Sequence, residues 1–308
     1  MKKLVVIKHS EYEWDKLSLN LSHDELIKHY NSHHTKDIDA ILRHHDKHAK
    51  MIETLKTVLF RADFCMLDDV KATITGYDLV IMMGGDNSFT KITHSIGDTP
   101  VLPVNAYPEK SYGYLTKWTI NDDHDIYDLI EAIDFYEFDA EEWPRLETTI
   151  DGTHIIASTS ECFLGERVRN KMSKNIVVYK GKEYHSRSSG IVVATGAGST
   201  GWYSSVASIK TAWSPQHKLA SFVVSEPFKV KPLDLVYTNK IKEQEIDLTH
   251  GEIIEGEELI IRSLNNDGVV SSDSWEYFPF PHGSEAKIYL GKPLNVIAPH
   301  PKSHDETK

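Results

Sequence analysis

The run Leu79-Val80-Ile81-Met82-Met83-Gly84-Gly85-Asp86-Asn87-Ser88 ends an apolar segment in two glycines and an acid. Glycine lets a backbone come close to a phosphate, and the amides that open a following helix face such an anion. A carboxylate at Asp86 would then stand at the end of a strand, where it can accept a hydroxyl proton or help hold Mg²⁺. A tight turn with Asp86 or Ser88 capping a helix accounts for the same residues without chemistry. A second run, Ile191-Val192-Val193-Ala194-Thr195-Gly196-Ala197-Gly198-Ser199-Thr200-Gly201-Trp202, leads an apolar segment into a small loop rich in glycine and hydroxyls. Such a loop suits close approach of a ligand with several neutral hydrogen bonds, and Trp202 offers a flat surface for a ring. The alternative is a β-turn with Trp202 in the core.

Both loops need strands to carry them. In the first half, Lys3–Ile7, Phe64–Leu67, Leu79–Met83 and Val101–Val104 read as buried strands. Between them, Ser22 and Glu25 form a capping box that opens a helix through about Tyr30. Ile38, Ile41, Leu42, Met51, Ile52, Leu55 and Leu59 recur at the spacing of one long amphipathic helix. Asn87–His94 and Ile126–Phe135 read as two more helices. Strands alternating with helices predict an α/β domain with a parallel, Rossmann-like sheet, whose ligands sit at the carboxyl ends of the strands. Beyond Glu142-Trp143-Pro144 the texture changes. Thr148–Ile150, Thr153–Ser158, Asn175–Tyr179, Gly190–Thr195, Ser221–Val224, Leu259–Arg262 and Val269–Ser272 are short, often β-branched and mostly set between turn residues, the signature of an all-β domain. The expected organisation is an α/β domain over 1–142, a β-rich domain over 143–300 and a flexible tail over 301–308.

The 308 residues suffice for two cores of ordinary size, and 40% hydrophobic with 26% charged residues is a globular composition. A net charge of −12 opposes nucleic acid as a partner. Only four apolar residues follow Lys3 before charge returns, too few for a signal-peptide core, and no stretch is long enough for a membrane span. A soluble, cytoplasmic protein is therefore expected. Cys65 and Cys162 show no metal or redox spacing and read as small core residues. Seventeen histidines invite a metal reading, chiefly His44 and His48, one helical turn apart, with His33 and His34 just before them. Without an acidic or cysteine ligand pattern beside them, they read as a solvated helix face, and no metal site is assigned.

Taken together, the two loops resemble those of the NAD kinase family. Its members carry Gly-Gly-Asp-Gly-Thr in the first domain and Thr-Pro-Thr-Gly-Ser-Thr-Ala-Tyr in the second; this chain has Gly84-Gly85-Asp86-Asn87-Ser88 and Thr195-Gly196-Ala197-Gly198-Ser199-Thr200-Gly201-Trp202, in the same order. Ser158-Thr159-Ser160-Glu161 falls where the family has Asn-Glu or Asn-Asp, and Ser225-Glu226-Pro227-Phe228 resembles the later Arg-Glu-Pro-Phe element. Three departures stand out: Asn87 for glycine, Ser160 for asparagine and Ser225 for arginine. Lys8-His9-Ser10-Glu11-Tyr12-Glu13, the run Val104–Gly113 and Ser188-Ser189-Gly190 are similar to the mitochondrial-type branch, which has Ser where most of the family places an Asp at the position of Ser189.

The resemblance implies transfer of the terminal phosphate of ATP to the adenosine-ribose 2′-hydroxyl of NAD, giving NADP. Asp86 would be the general base. Gly84, Gly85, Asn87 and Ser88 would line the phosphate site, and Asn105 would lie near the nucleotide. Ser160, Glu161, Ser189, Thr200, Gly201, Trp202 and Ser205 would serve NAD, in a cleft between the domains. Mg²⁺ would accompany ATP, and a homodimer pairing its second domains is the implied assembly. Two rival readings remain: a catalytically impaired dinucleotide-binding regulator, and a lipid or sugar kinase sharing the Gly-Gly-Asp loop.

Overall fold

The computed structural model describes residues 1–33, 36–208, 212–228 and 248–300. The tail Pro301–Lys308, His34 and the side chain of His33 lie outside them. In chain order the first half comprises β1 (Lys3–Ile7), α1 (Glu11–Ser18), α2 (His23–His33), α3 (Ile38–Val58), β2 (Asp63–Met66), β3 (Leu79–Gly84), α4 (Asp86–Thr93), β4 (Val101–Asn105), β5 (Trp118–Thr119), α5 (Asp123–Asp134) and β6 (Phe138–Trp143). The second half comprises β7 (Leu146–Ile150), β8 (Thr153–His154), β9 (Glu161–Glu166), β10 (Ser173–Tyr179), β11 (Lys182–Ser188), β12 (Gly190–Ala194), α6 (Trp202–Ala207), β13 (Leu219–Ser225), β14 (His250–Ile254), β15 (Glu258–Ser263), β16 (Gly268–Ser272), β17 (Glu276–Pro279), β18 (Glu285–Leu290) and β19 (Leu294–Pro299).

Two compact units divide the chain: Met1–Glu141 with the segment from Val296 onward, and Glu142–Asn295. The first holds a sheet in the order β2-β1-β3-β4-β19-β6, with β5 also paired to β4. β1 pairs in parallel with β2 and β3, and β4 in parallel with β3, β5 and β19. Val5, Ile7, Leu79, Ile81, Met83, Leu102 and Val104 point to one face, where Met51 and Leu55 of α3 and Ile126, Leu129 and Ile133 of α5 cover them. α4 packs against β3. The strands are buried at every position in β3 and β4, as the continuous apolar runs of a covered parallel sheet require.

The α/β domain followed by β-sheets is the fold class expected from the sequence, with one difference in connection. β19 returns to the first sheet, where Val296 pairs with Val101, so the end of the 143–300 segment belongs to the first unit. The second unit has two six-stranded sheets, β11-β10-β15-β18-β7-β8 and β14-β13-β12-β9-β16-β17, in which neighbouring strands pair antiparallel among the described residues. Leu259, Ile261 and Ile288 of one sheet share a core with Ile191, Val193 and Phe222 of the other, giving a sandwich.

Smaller expectations shift. The strand expected over Thr153–Ser158 is only β8, followed by a single bridge between Ser158 and Leu146. Cys162 is a core residue, but Cys65 is half-buried on the edge strand β2. Among the described residues no helix is long and apolar enough to cross a membrane.

Candidate functional site

In the first unit, β3 delivers the chain to Gly84 and α4 begins at Asp86, with Gly85 as N-cap. Neither Asp86 nor Ser88 is the cap. A Cβ on Gly84 would stand 2.6 Å from Ser88 Cβ, and one on Gly85 would stand 2.5 Å from Ser111 Oγ, so both glycines are needed for close packing. Asn87 is the second residue of α4 and sits in ordinary helical backbone, so the family's glycine at this position is not needed for the turn. In the first turn of α4 the Ser88 amide donates to the Gly85 carbonyl (3.0 Å), which leaves the Asp86 and Asn87 amides at the positive end of the helix.

Asp86 is held by a distant loop. Its two carboxylate oxygens accept the backbone N–H groups of Tyr114 (3.0 Å) and Leu115 (2.9 Å). Asn105 shapes that loop. It sits beside Gly84 across the β3–β4 pair, donates to the Ser111 carbonyl (3.0 Å) and accepts from the Tyr107 amide (3.1 Å). Gly113, at φ +69, passes so near Asn105 that a Cβ would stand 2.7 Å from its Nδ2. Asn105 is thus a positioning residue for the segment that grips Asp86.

A cavity of about 470 Å³ opens at the carboxyl ends of β1 and β3, lined by Lys8, His44, Gly85, Asp86, Asn87 and Lys110 among others. Burial lowers the pKa of Lys8, partly offset by Asp68 and Glu11, and Lys110 pairs with Glu11. Sequence reasoning quoted Lys8 and Lys110 for lineage only; a lysine one residue past a parallel strand's carboxyl end was the signal for a role here. The arrangement can hold phosphates on helix amides and two ammonium groups, with a carboxylate beside them.

In the second unit, Thr195 to Trp202 leave β12 through a 3-10 turn at Ala197–Thr200 into α6. The turn is locked to the segment before β9. Thr195 Oγ1 donates to the Thr159 carbonyl (2.6 Å), Thr195 N to the Ser160 carbonyl (2.9 Å), and a Cβ on Gly198 would stand 2.2 Å from that same Ser160 oxygen. Glu161 is mostly buried, and its Oε2 would lie 3.8 Å from a Cβ on Gly201.

Asp273 was missed by the sequence reading. It turns at φ +48 after β16, and its carboxylate accepts the amides of Thr159 (2.8 Å), Ser160 (2.7 Å) and Glu161 (3.0 Å). The signal was Ser271-Ser272-Asp273-Ser274, a polar cluster at a strand end with a residue type that tolerates positive φ. Burial, and then the charge of Asp273, push the Glu161 carboxyl up to about 8 from an ordinary 4.5.

Ser160, Glu161, Thr200, Gly201 and Trp202 therefore gather at one end of β12, with Ser205 exposed on α6. Ser189 does not join them. It precedes β12 at the other end, roughly 16 Å from the Ala194–Glu161 pair at about 3.3 Å per residue, and its hydroxyl donates to Glu226. Trp202 packs beside Phe163, and the Arg169 guanidinium lies 4.9 Å over its ring.

No protein-family model matches this chain. Among curated proteins it is similar to the "NAD kinase 2" of Geobacillus kaustophilus (strain HTA426), with 26% identity over 164 residues. That match covers 51% of this chain and 58% of the relative, less than two thirds of its length. Among solved structures it resembles an NAD kinase from Archaeoglobus fulgidus in complex with ATP, with a TM-score of 0.62 and 16% identity over 96% of this chain and 92% of that one. The chain shares that protein's fold.

Proposed function

We propose that this chain is an NAD kinase that transfers the terminal phosphate of ATP to the adenosine-ribose 2′-hydroxyl of NAD. The observation that carries the reading is Asp86: a carboxylate fixed by two backbone amides at a glycine-bounded strand-to-helix turn, beside a cavity holding Lys8 and Lys110. In this reading Asp86 accepts the hydroxyl proton, and the α4 amides with Lys8 and Lys110 hold the phosphates. Phosphoryl transfer asks little more of a protein than positioning and charge stabilisation.

Mg²⁺ suits this donor set. Each Asp86 oxygen keeps a free lone pair after its amide bond, and Mg²⁺ takes one or two carboxylates when substrate phosphates supply the rest. Bound with ATP, the ion would neutralise charge on the phosphates. Glu161 with Gly201 and Thr200 would receive the ribose, and Trp202 and Ser205 would border the dinucleotide. Ser160 would act through its backbone, since its amide and carbonyl are both engaged. Ser189 belongs to the proposed NAD contacts on the family likeness alone. The mitochondrial-type lineage, a homodimer and a cytoplasmic setting complete the proposal.

The test is NADP formation by purified protein from NAD, ATP and Mg²⁺, beside Asp86→Asn. Product from the wild type and a loss of at least about 100-fold in the variant are expected. No product with any triphosphate or polyphosphate donor, despite measurable NAD binding, would overturn the kinase and leave a dinucleotide-binding regulator.

A further inference from the structure

The turn between β1 and α1 packs a carboxylate among histidines that no part of the proposed chemistry uses. Glu13 in the first turn of α1 faces His45 and His48 on α3, and each of the three residues brings one potential ligand atom within 4.8 Å of the others. Glu13 Oε2 lies 3.6 Å from His48 Nδ1 and 3.9 Å from His9 Nδ1. His48 is 3% exposed, yet its Nδ1, which faces Glu13, has no hydrogen-bond partner, and His9 Nδ1 is likewise buried and unpartnered. Leaving such a group unsatisfied costs about 1–3 kcal/mol in a folded protein, so two such nitrogens within 4 Å of one carboxylate oxygen call for an explanation that a bound cation would supply.

A divalent cation of the zinc class fits this set. Zinc bonds imidazole nitrogen and carboxylate oxygen at about 2.0–2.2 Å in tetrahedral sites, which places neighbouring ligand atoms roughly 3.3–3.6 Å apart. The Glu13–His48 separation meets that spacing. Two imidazoles and one carboxylate select a borderline metal over Mg²⁺ or Ca²⁺, which prefer all-oxygen sites. The surroundings also suit ligands in need of orientation. Ser10 Oγ lies 2.9 Å from His45 Nδ1 and 3.0 Å from Glu13 Oε2, and the Ser10 amide donates to the same carboxylate (2.8 Å).

We infer that Glu13, His45 and His48 form a zinc-class metal site, with His9 at the fourth position, that clamps the β1–α1 turn onto α3. The sequence reading set the histidines of this helix aside because no acidic ligand stood beside them. The acid comes instead from another helix, and His45 replaces His44 as the partner of His48. The clamp would fix Lys8 and His9, both of which line the cavity beside Asp86. Metal binding itself does not depend on the kinase reading.

The experiment uses the untagged full chain, stripped with chelator and without nucleotides. Zn²⁺ is titrated calorimetrically, bound metal is counted after gel filtration, and Co²⁺ is used as a visible probe of tetrahedral geometry. One equivalent at micromolar affinity or tighter is expected, with a melting temperature about 5 °C higher at a hundredfold excess over Kd. Glu13→Gln and His45→Asn should each weaken binding by at least about 10-fold. Gln at position 13 retains the capping box that opens α1, so this variant keeps its helix start. His48→Ala should abolish binding, and if it fails to fold the other two variants decide. His282→Ala, an exposed histidine elsewhere, should bind like the wild type. Zn²⁺ bound equally by the wild type, Glu13→Gln and His45→Asn would mean adventitious capture by the seventeen histidines and would overturn the site, as would no binding at 10-fold the expected Kd.

Discussion

Two loops with the same local construction support their acids in opposite ways. After β3, Asp86 is gripped by backbone amides of Tyr114 and Leu115, 28 and 29 residues further along the chain. After β12, the Thr195–Trp202 loop borders Glu161, whose carboxyl has no hydrogen bond among the described residues and faces the negative Asp273. The amides that might have supported Glu161 are taken by Asp273, 112 to 114 residues away in sequence. A glycine-rich strand end marks where a ligand can approach. What the acid there can do is set by groups supplied from far along the chain.

The widest separation between the two acids should appear in turnover. Asp86→Asn is expected to cut kcat by at least about 100-fold. The new amide also turns an N–H toward a backbone donor, so a modest fall in melting temperature should accompany it. Glu161→Gln should behave differently, because a carboxyl raised to about 8 is already protonated at pH 7 and Gln imitates that form. Here kcat should stay within about 3-fold and the KM for NAD should rise about 10-fold, the weight of one hydrogen bond. Equal losses of kcat in steady-state assays of both variants would break the comparison.

A second contrast lies in the glycines of the later loop. A Cβ at position 198 would drive into the Ser160 carbonyl at 2.2 Å, whereas one at position 201 meets nothing closer than 3.5 Å. Gly198→Ala should lower stability by about 1–3 kcal/mol and weaken NAD binding. Gly201→Ala should melt like the wild type. Thermal melts with NAD titration separate the two, and comparable destabilisation would show that the clash at 198 is relieved cheaply.

The same contrast explains what was legible beforehand. β3, β4, α3 and β12 stood out because uniform burial or 3.6-residue periodicity marks such segments directly. β9 and β11 were not read: Glu161–Glu166 starts and ends on an acid, and Lys182–Ser188 is an exposed edge with four charged or imidazole side chains. α1 escaped because its capping residues Ser10 and Glu13 lay in a segment valued for its family likeness. Gly84, Gly85 and Asp86 were visible as a motif. Asp273, the Tyr114–Leu115 amides and the Glu13–His48 approach were not, since each joins residues that only the tertiary fold makes neighbours.

The smallest expected effect isolates the Glu161–Asp273 pair. The Glu161 carboxyl titrates at about 8 when folded and near 4.5 when unfolded, so between those values the folded chain carries the extra proton. Its contribution to stability is complete below about pH 4.5 and is lost as pH rises through about 8. Burial is the larger cause and the Asp273 charge the smaller. Asp273→Asn removes the charge together with one of the two acceptor oxygens, at a positive φ that Asn also accepts. The folded titration should move down but stay above 4.5, making the decline in stability between pH 5 and 8 shallower than in the wild type. Urea denaturation at pH 5, 6, 7 and 8 reads this, each series expressed relative to its own value at pH 5 so that the lost amide contacts cancel. Parallel curves for the two proteins would mean that Asp273 does not govern Glu161, and that the second loop holds its acid by burial alone.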